Sequence, residues 1–321
     1  MTIAVPLAVA AGVDAGQRFL DVALAPSGQT FRMPNLADGI AEIIARLERS
    51  GVRRVVLEAI GPYAEPLVKA LSVAGFEVGI VNPRRIKAFR EAEGGRAKTD
   101  RLDARLIARF ALTMPETLRP LPLPTDTQLE LKALSLRRRQ LTEMIAMEKT
   151  RMKQVRGTLL LDSHRAAIAA LSAQCQAIEA ELARRIGDDA ELRRVLHILK
   201  SIPGIGERVA TLLITDLPEL GQRDRKAIAS LAGLAPHVSQ SGAAPPRAAI
   251  AGGRPCVRAA LYMAALVAAR HHPKLRDDYN ALRLQGKPGK VALIAIARKL
   301  LVTANALVKA DTPYQGKTLD T

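Results

Sequence analysis

The chain has no tryptophan, and only four tyrosines and five phenylalanines in 321 residues. Stacking on aromatic side chains is therefore not expected to dominate any contact with nucleic-acid bases. Cysteine is as scarce. Cys175 and Cys256 stand far apart and match no metal-ligand spacing, so they read as two reduced thiols of a cytosolic protein. No stretch approaches the ~20 apolar residues of a membrane span. The opening MTIAVPLAVAAGVD is apolar but has no positive leader and runs straight into a strand-like pattern. It reads as a first strand, not a signal peptide. Acidic charge is in the minority: 48 Lys and Arg face 31 Asp and Glu, a formal +17. That balance points to a polyanionic partner, with no membrane involved.

The charge is unevenly shared. Residues 1–124 carry 17 basic and 13 acidic side chains, and residues 125–321 carry 31 and 18. The second part is the better candidate for general phosphate contact, and the first keeps its acids for another purpose. Residues 1–115 alternate strand and helix signals. Three hairpin-like strands (AAGVD, FLDVALAP, QTFRMPN) precede a helix, a fourth strand (VRRVVLEA), a helix and a fifth strand (FEVGIVNP). The pattern predicts a mixed α/β sheet. A proline-rich linker follows at 116–126. Region 127–190 is almost free of Gly and Pro and predicts an antiparallel, coiled-coil-like pair of helices, Thr127–Leu160 and His164–Ile186. A mainly α domain fills 195–311, with a Gly/Pro-rich loop at Gly233–Pro255 and three closing helices, and 312–321 forms a flexible tail.

Two features of the second part bear on nucleic acid. Pro203-Gly204-Ile205-Gly206 resembles the turn of a helix-hairpin-helix, in which glycines let backbone N–H groups approach a phosphate; a plain packing turn is the competing reading. The run Arg137–Arg139 is either a solvated face or, through Arg138, a phosphate contact.

Four acids fall where strand ends and a helix would gather them. Asp14 ends the first strand in GVDAG. Glu58 ends the fourth in VVLEAIGPY, after a fully apolar approach that marks a central strand. Asp100 and Asp103 share a helix face by their i,i+3 spacing in AKTDRLDARLIARF. Singly, each has a plain reading: a turn cap, an ion pair, a complement to the helix dipole. Together they make an all-oxygen set suited to one or two Mg²⁺ ions, which assist phosphoryl transfer. Lys98, Arg101 and Arg105 surround the helical pair as a phosphate would require.

These stretches, with LKSIPGIGERVATLLITDLPELG, LAGLAPHVSQSG, GGRPCVRAALYMAALVAARHHP and GKPGKVALIAIARKLLVTANAL, resemble the bacterial insertion-sequence transposases of the RuvC-like DEDD type, the bridge-RNA-guided recombinases. The likeness runs in order from Gly12 to Leu307. It implies a RuvC-like, RNase H-fold domain whose acids are Asp14, Glu58, Asp100 and Asp103. It implies a helical middle region for assembly and RNA contact, and a C-terminal domain with a nucleophilic serine, Ser241 of the SG pair. Mg²⁺ is the implied cofactor. Donor and target DNA and a structured guide RNA are the implied partners, in a dimer or tetramer near the bacterial nucleoid. From residue chemistry alone Ser241 is a turn serine without a base, and Ser239 rivals it. Relatives commonly carry several basic residues after SG. Here the loop AAPPRAAIA has only Arg247, which implies either compensation from Arg254 and Arg258 or an active site of reduced efficiency. The competing readings are a metal nuclease that cuts by water attack and a non-catalytic nucleic-acid-binding protein.

Overall fold

A computed structural model describes residues 9–58, 63–94, 100–115, 125–239 and 247–316, with backbone alone at 100, 101, 237–239, 247 and 248. The chain forms two compact units, 1–124 and 125–321. In the first, β1 (Ala10–Ala15), β2 (Phe19–Ala25) and β3 (Thr30–Pro34) precede α1 (Ala37–Arg49), β4 (Arg54–Leu57), α2 (Glu65–Val73), β5 (Glu77–Ile80), α3 (Pro83–Ala92) and α4 (Asp100–Thr113). The strand order is β3-β2-β1-β4-β5. The first three strands pair antiparallel, and β4 and β5 run parallel to β1. This is the mixed α/β sheet that the sequence led us to expect. Pro34 ends the edge strand β3, where its missing N–H breaks no ladder.

The sheet has two unlike faces. On one, Val13, Val22, Leu24 and Val55 bury against Ile43 and Leu47 of α1 and Leu67 and Leu71 of α2. The other face is built from small residues. Ala23 and Ala25 pack against Ala104 and Ala108 of α4, and Ala10 and Val56 meet Ile86 of α3 and Ile107 and Phe110 of α4. At Gly12 a Cβ would fall inside the backbone of Ala104 and Ala108. Only glycine lets α4 rest this closely on β1. The helix α3 does not appear in the strand-and-helix reading of the sequence. Its signals are local: Pro83 at the first turn and the Asn82 side chain accepting from the Arg84 N–H at 2.9 Å.

The second unit opens with α5 (Asp126–Met152) and α6 (Thr158–Asp188). A capping box between Thr125 and Gln128 starts α5. The two helices run antiparallel, tied by Arg138–Glu179 at 3.2 Å and His164–Glu148 at 2.6 Å. The turn lies at 153–157, ahead of the expected break near 161–163, because Gly157 takes φ 101° and stops the chain there. Then come α7 (Ala190–Lys200), α8 (Glu207–Asp216), α9 (Arg225–Leu231), the strands β6 (Pro236–Ser239) and β7 (Arg247–Ile250), and α10 (Pro255–His271), α11 (Pro273–Leu284) and α12 (Gly289–Ala310). The stretch expected to be an irregular loop thus contains an antiparallel hairpin. One core gathers Leu199, Leu213, Leu261, Leu300 and Leu301. By length and composition α12 is apolar enough to cross a membrane, which the sequence reading overlooked. Ile296, Ala297, Leu300, Ala304 and Leu307 instead bury it in this core.

Candidate active site

The register of the sheet places the acids. Parallel β1 and β4 align Gly12 with Val56 and Val13 with Leu57. One step further along both chains brings Asp14 beside Glu58. Side chains alternate across a sheet, so Asp14 shares a face with Ala10 and Gly12, and Glu58 with Val56. That is the face covered by α4. The helix runs opposite to β1, since its later residues Phe110 and Ala111 cluster with Ala10. Gly12 faces the backbone between Ala104 and Ala108. Two strand residues, about 6.6 Å, correspond to about four helical residues. The level of Asp14 therefore falls between Asp100 and Asp103. Sheet and helix direct the backbones of Asp14, Glu58, Asp100 and Asp103 toward one end of one face, but the side chains of Asp14, Glu58 and Asp103, all three described, do not come close enough together to hold a metal ion.

Asp103 is buried, at 4 % exposure, and its carboxylate is paired with the guanidinium of Arg90 from α3. The Asp100 side chain lies outside the described residues. Among the described residues no three of His, Cys, Asp and Glu stand close enough to hold a metal ion. The donor chemistry nevertheless fits a hard divalent cation. The candidates are all carboxylates, and a guanidinium already stands as the positive charge that buried Asp103 requires. Around them, the side-chain amide of Asn35 donates to the carbonyl of Gly16 at 2.9 Å and of Tyr63 at 2.8 Å. It ties the turn after Asp14 to Tyr63, just ahead of α2.

A further acid lies in the same row. Antiparallel β1 and β2 set Asp14 directly opposite Asp21. Asp21 is 4 % exposed and is gripped by Arg32 of β3, with Nε 3.0 Å from Oδ1 and Nη2 2.7 Å from Oδ2. The sequence reading passed over Asp21, Arg32, Arg90 and Asn35. The signal for Asp21 was a charge at every-other-residue spacing with Ala23 and Ala25, where an apolar inward face was due.

The residues read as nucleic-acid contacts fare differently. Arg105 is exposed on α4. Lys98 and the Arg101 side chain lie outside the described residues. Arg138 is half-buried against Glu179. Gly204 has φ 85°, and a Cβ there would stand 2.6 Å from the Ala264 carbonyl oxygen, so this glycine packs the turn against α10. Gly206, before α8, has open space around it. Arg254 forks onto Glu219 with both contacts at 2.6 Å. Burial opposes the ionisation of Glu219, but Arg254 outweighs it and holds the carboxyl below its ordinary range. Arg258 donates to the Gly252 carbonyl at 2.8 Å. Arg258, which also reaches the Gly233 carbonyl at 3.4 Å, thus braces the foot of the β6–β7 hairpin, while Arg254 ties the start of α10 to Glu219. The Arg247 side chain, the Ser239 side chain and all of Ser241 lie outside the described residues. The hairpin leads into and out of residues 240–246, which include Ser241.

Asp216 at the end of α8 is buried and accepts from Ser135 Oγ at 2.6 Å, Thr215 Oγ1 at 2.8 Å and Arg139 at 2.6 Å. Burial would raise this carboxyl; the three donors outweigh it and lower it. Burial and the Asp216 charge push the neighbouring Cys256 thiol up, so it is a poor nucleophile.

Residues 11–160 match a transposase model of the DEDD, IS110 type, and residues 196–280 match the model "Transposase IS116/IS110/IS902 family". The pilin gene-inverting protein of Moraxella bovis is 29% identical, covering 82% of both chains. The insertion element IS110 uncharacterized 43.6 kDa protein of Streptomyces coelicolor is 25% identical, covering 92% of both. T. thermophilus RuvC in complex with Holliday junction substrate aligns at 19% identity and TM-score 0.28, over 36% of this chain and 99% of its own. The chain belongs to the IS110 family of bacterial insertion-sequence transposases.

Proposed function

We propose that the protein is the recombinase of an insertion sequence, cutting and exchanging DNA strands through a covalent phosphoserine guided by a structured non-coding RNA. What supports the catalytic part is the register of β1 and β4, paired through Val13 and Leu57, from which Asp14 and Glu58 follow on neighbouring strands. Asp14, Glu58, Asp100 and Asp103 would hold one or two Mg²⁺ ions, which supply charge stabilisation for phosphoryl transfer. Ser241 Oγ forms the bond to phosphorus as the bond to a sugar oxygen breaks. The serine gives up its proton, and the leaving sugar oxygen gains one. Reversal with a different strand rejoins the DNA. Arg105, Lys98 and Arg101 beside the acids suit the incoming phosphate backbone. A relative named for inverting a pilin gene favours exchange over simple cleavage.

Sequence choice rests with the guide RNA, because the chain offers distributed cationic charge and few aromatics for reading bases. The working form is a dimer or tetramer assembled through the α5–α6 hairpin, acting on DNA in the bacterial cytoplasm.

The test is strand cleavage and joining by purified protein, guide RNA, donor and target DNA with Mg²⁺. Asp14→Asn, Glu58→Gln and Asp103→Asn should each lose recombination while retaining fold and RNA binding. Recombination at the wild-type rate in these variants would remove the acid site. Cleavage that persists in Ser241→Ala would show that water, not serine, attacks.

A further inference from the structure

The pair Asp21–Arg32 has no place in the four-acid scheme, yet it lies in the same row of the sheet. Cross-strand partners run Arg32 to Asp21 and Asp21 to Asp14, and Glu58 follows Asp14 one register step beyond the last β1–β4 pair. Neighbouring strands stand about 4.8 Å apart, so Arg32 is about 10 Å from Asp14 across the sheet. Two carboxylates on directly opposed positions repel each other. A buried ion pair is a poor stabiliser compared with apolar residues of the same size. Apolar residues are what β2 otherwise presents to this face, at Ala23 and Ala25. The buried acid beside Asp14 therefore calls for a reason other than packing.

Its geometry supplies one. Arg32 reaches both Asp21 oxygens, with Nε at 3.0 and 3.1 Å and Nη2 at 2.7 Å, while its guanidinium lies 5.3 Å from the centre of the Phe19 ring. The Asp21 side chain is 5 % exposed and that of Arg32 38 %. We propose that Asp21 is a positioning residue of the acid site: it anchors and neutralises Arg32, so that the positive charge beside Asp14 does not compete with a divalent cation. This rests on the reading of Asp14, Glu58, Asp100 and Asp103 as cation ligands.

The charge logic makes opposite predictions for the two partners. Asp21→Asn keeps the shape but unmasks Arg32, and cation affinity falls by about tenfold or more. Arg32→Gln leaves Asp21 as an added negative charge opposite Asp14, and affinity rises. Asp21→Asn with Arg32→Gln restores neutrality and returns affinity toward the wild type. A purely structural pair would give losses in all three.

The experiment is Mn²⁺ binding to the full-length, DNA-free protein, followed by the loss of the free-ion paramagnetic resonance signal, with circular dichroism to confirm folding. Wild-type binding that Asp14→Asn abolishes establishes the acid site. No such difference overturns that site itself, and the role of Asp21 with it. Given the difference, weak binding in Asp21→Asn with recovery in the double variant supports the proposal. Wild-type affinity in Asp21→Asn, or no recovery in the double variant, overturns it. Should Asp21→Asn fail to fold, Arg32→Gln decides: tighter binding supports the proposal, and equal or weaker binding overturns it.

Discussion

The guanidinium of Arg90, on α3, sits on the buried carboxylate of Asp103, on α4. This contact joins two helices and supplies the positive charge that the buried Asp103 requires. Replacing Arg90 with Gln strands a buried carboxylate, and the N-terminal unit should lose about 1–3 kcal/mol. On the proposed site, magnesium should return more of that loss in the variant than it adds to the wild type, because the ion and the arginine would serve the same carboxylate. Thermal unfolding with and without Mg²⁺ reads both effects. Equal magnesium stabilisation of the two proteins would show that Asp103 takes no part in cation binding.

Gly12 sets the depth at which α4 rests on β1. Gly12→Ala places a methyl group inside the backbone of Ala104 and Ala108, and overpacking of this kind costs about 1–3 kcal/mol. The helix must lift, and it carries Asp103 with it. Strand cleavage should therefore fall far more than the folded fraction does. Cleavage in proportion to the folded fraction would mean that the depth of α4 is irrelevant to the chemistry.

The two glycines of the Pro203–Gly206 turn should behave differently. Gly204 combines φ 85° with close packing on Ala264, so Gly204→Ala should destabilise the C-terminal unit by at least ~1 kcal/mol. Gly206 has φ −82° and open surroundings, so Gly206→Ala should leave stability within about 0.5 kcal/mol. A DNA or RNA contact by this turn would appear as weaker nucleic-acid binding in Gly206→Ala, with an unchanged melting curve.

Asp216 gives the C-terminal unit an acid-sensitive element. Burial works against its ionisation, but Ser135, Thr215 and Arg139 hold the carboxyl below its ordinary 3.8. A lowered folded-state value contributes stability above the ordinary value and loses it as pH falls through the folded one. Asp216→Asn should therefore destabilise the protein at neutral pH, by about 1–3 kcal/mol. The gap to the wild type should close on acidification below about pH 4. Chemical denaturation across that range measures it, and a gap independent of pH would assign the loss to shape rather than charge.

Much of the first unit was legible because its signals are local. Strand alternation located β1, β2 and β4, and the apolar run Val55–Leu57 marked a central strand. The acids stood out as charges at the ends of apolar runs. What escaped depends on pairing across the sheet. Asp21 acquires meaning only from the register that sets it opposite Asp14, and Arg32 only from its place on the next strand. Asn35 acts on two turns, at Gly16 and Tyr63, that are distant in sequence. In the second unit, a helical reading of 127–190 found the two long helices but misplaced their turn, because Gly157 was outweighed by the helical residues around it. Arg254 and Arg258 read as free cations, since nothing local to them announces Glu219 or the glycine carbonyls they hold.

The most direct test of the account is covalent trapping. Full-length protein, guide RNA and Mg²⁺ are incubated with a nicked suicide DNA that cannot be religated, and the digested complex is read by mass spectrometry. The expected product is a nucleotide-bearing peptide modified at Ser241, absent in Ser241→Ala, in Asp14→Asn and without divalent cation. Cleaved DNA with no protein adduct, or an adduct that survives Ser241→Ala, would contradict it.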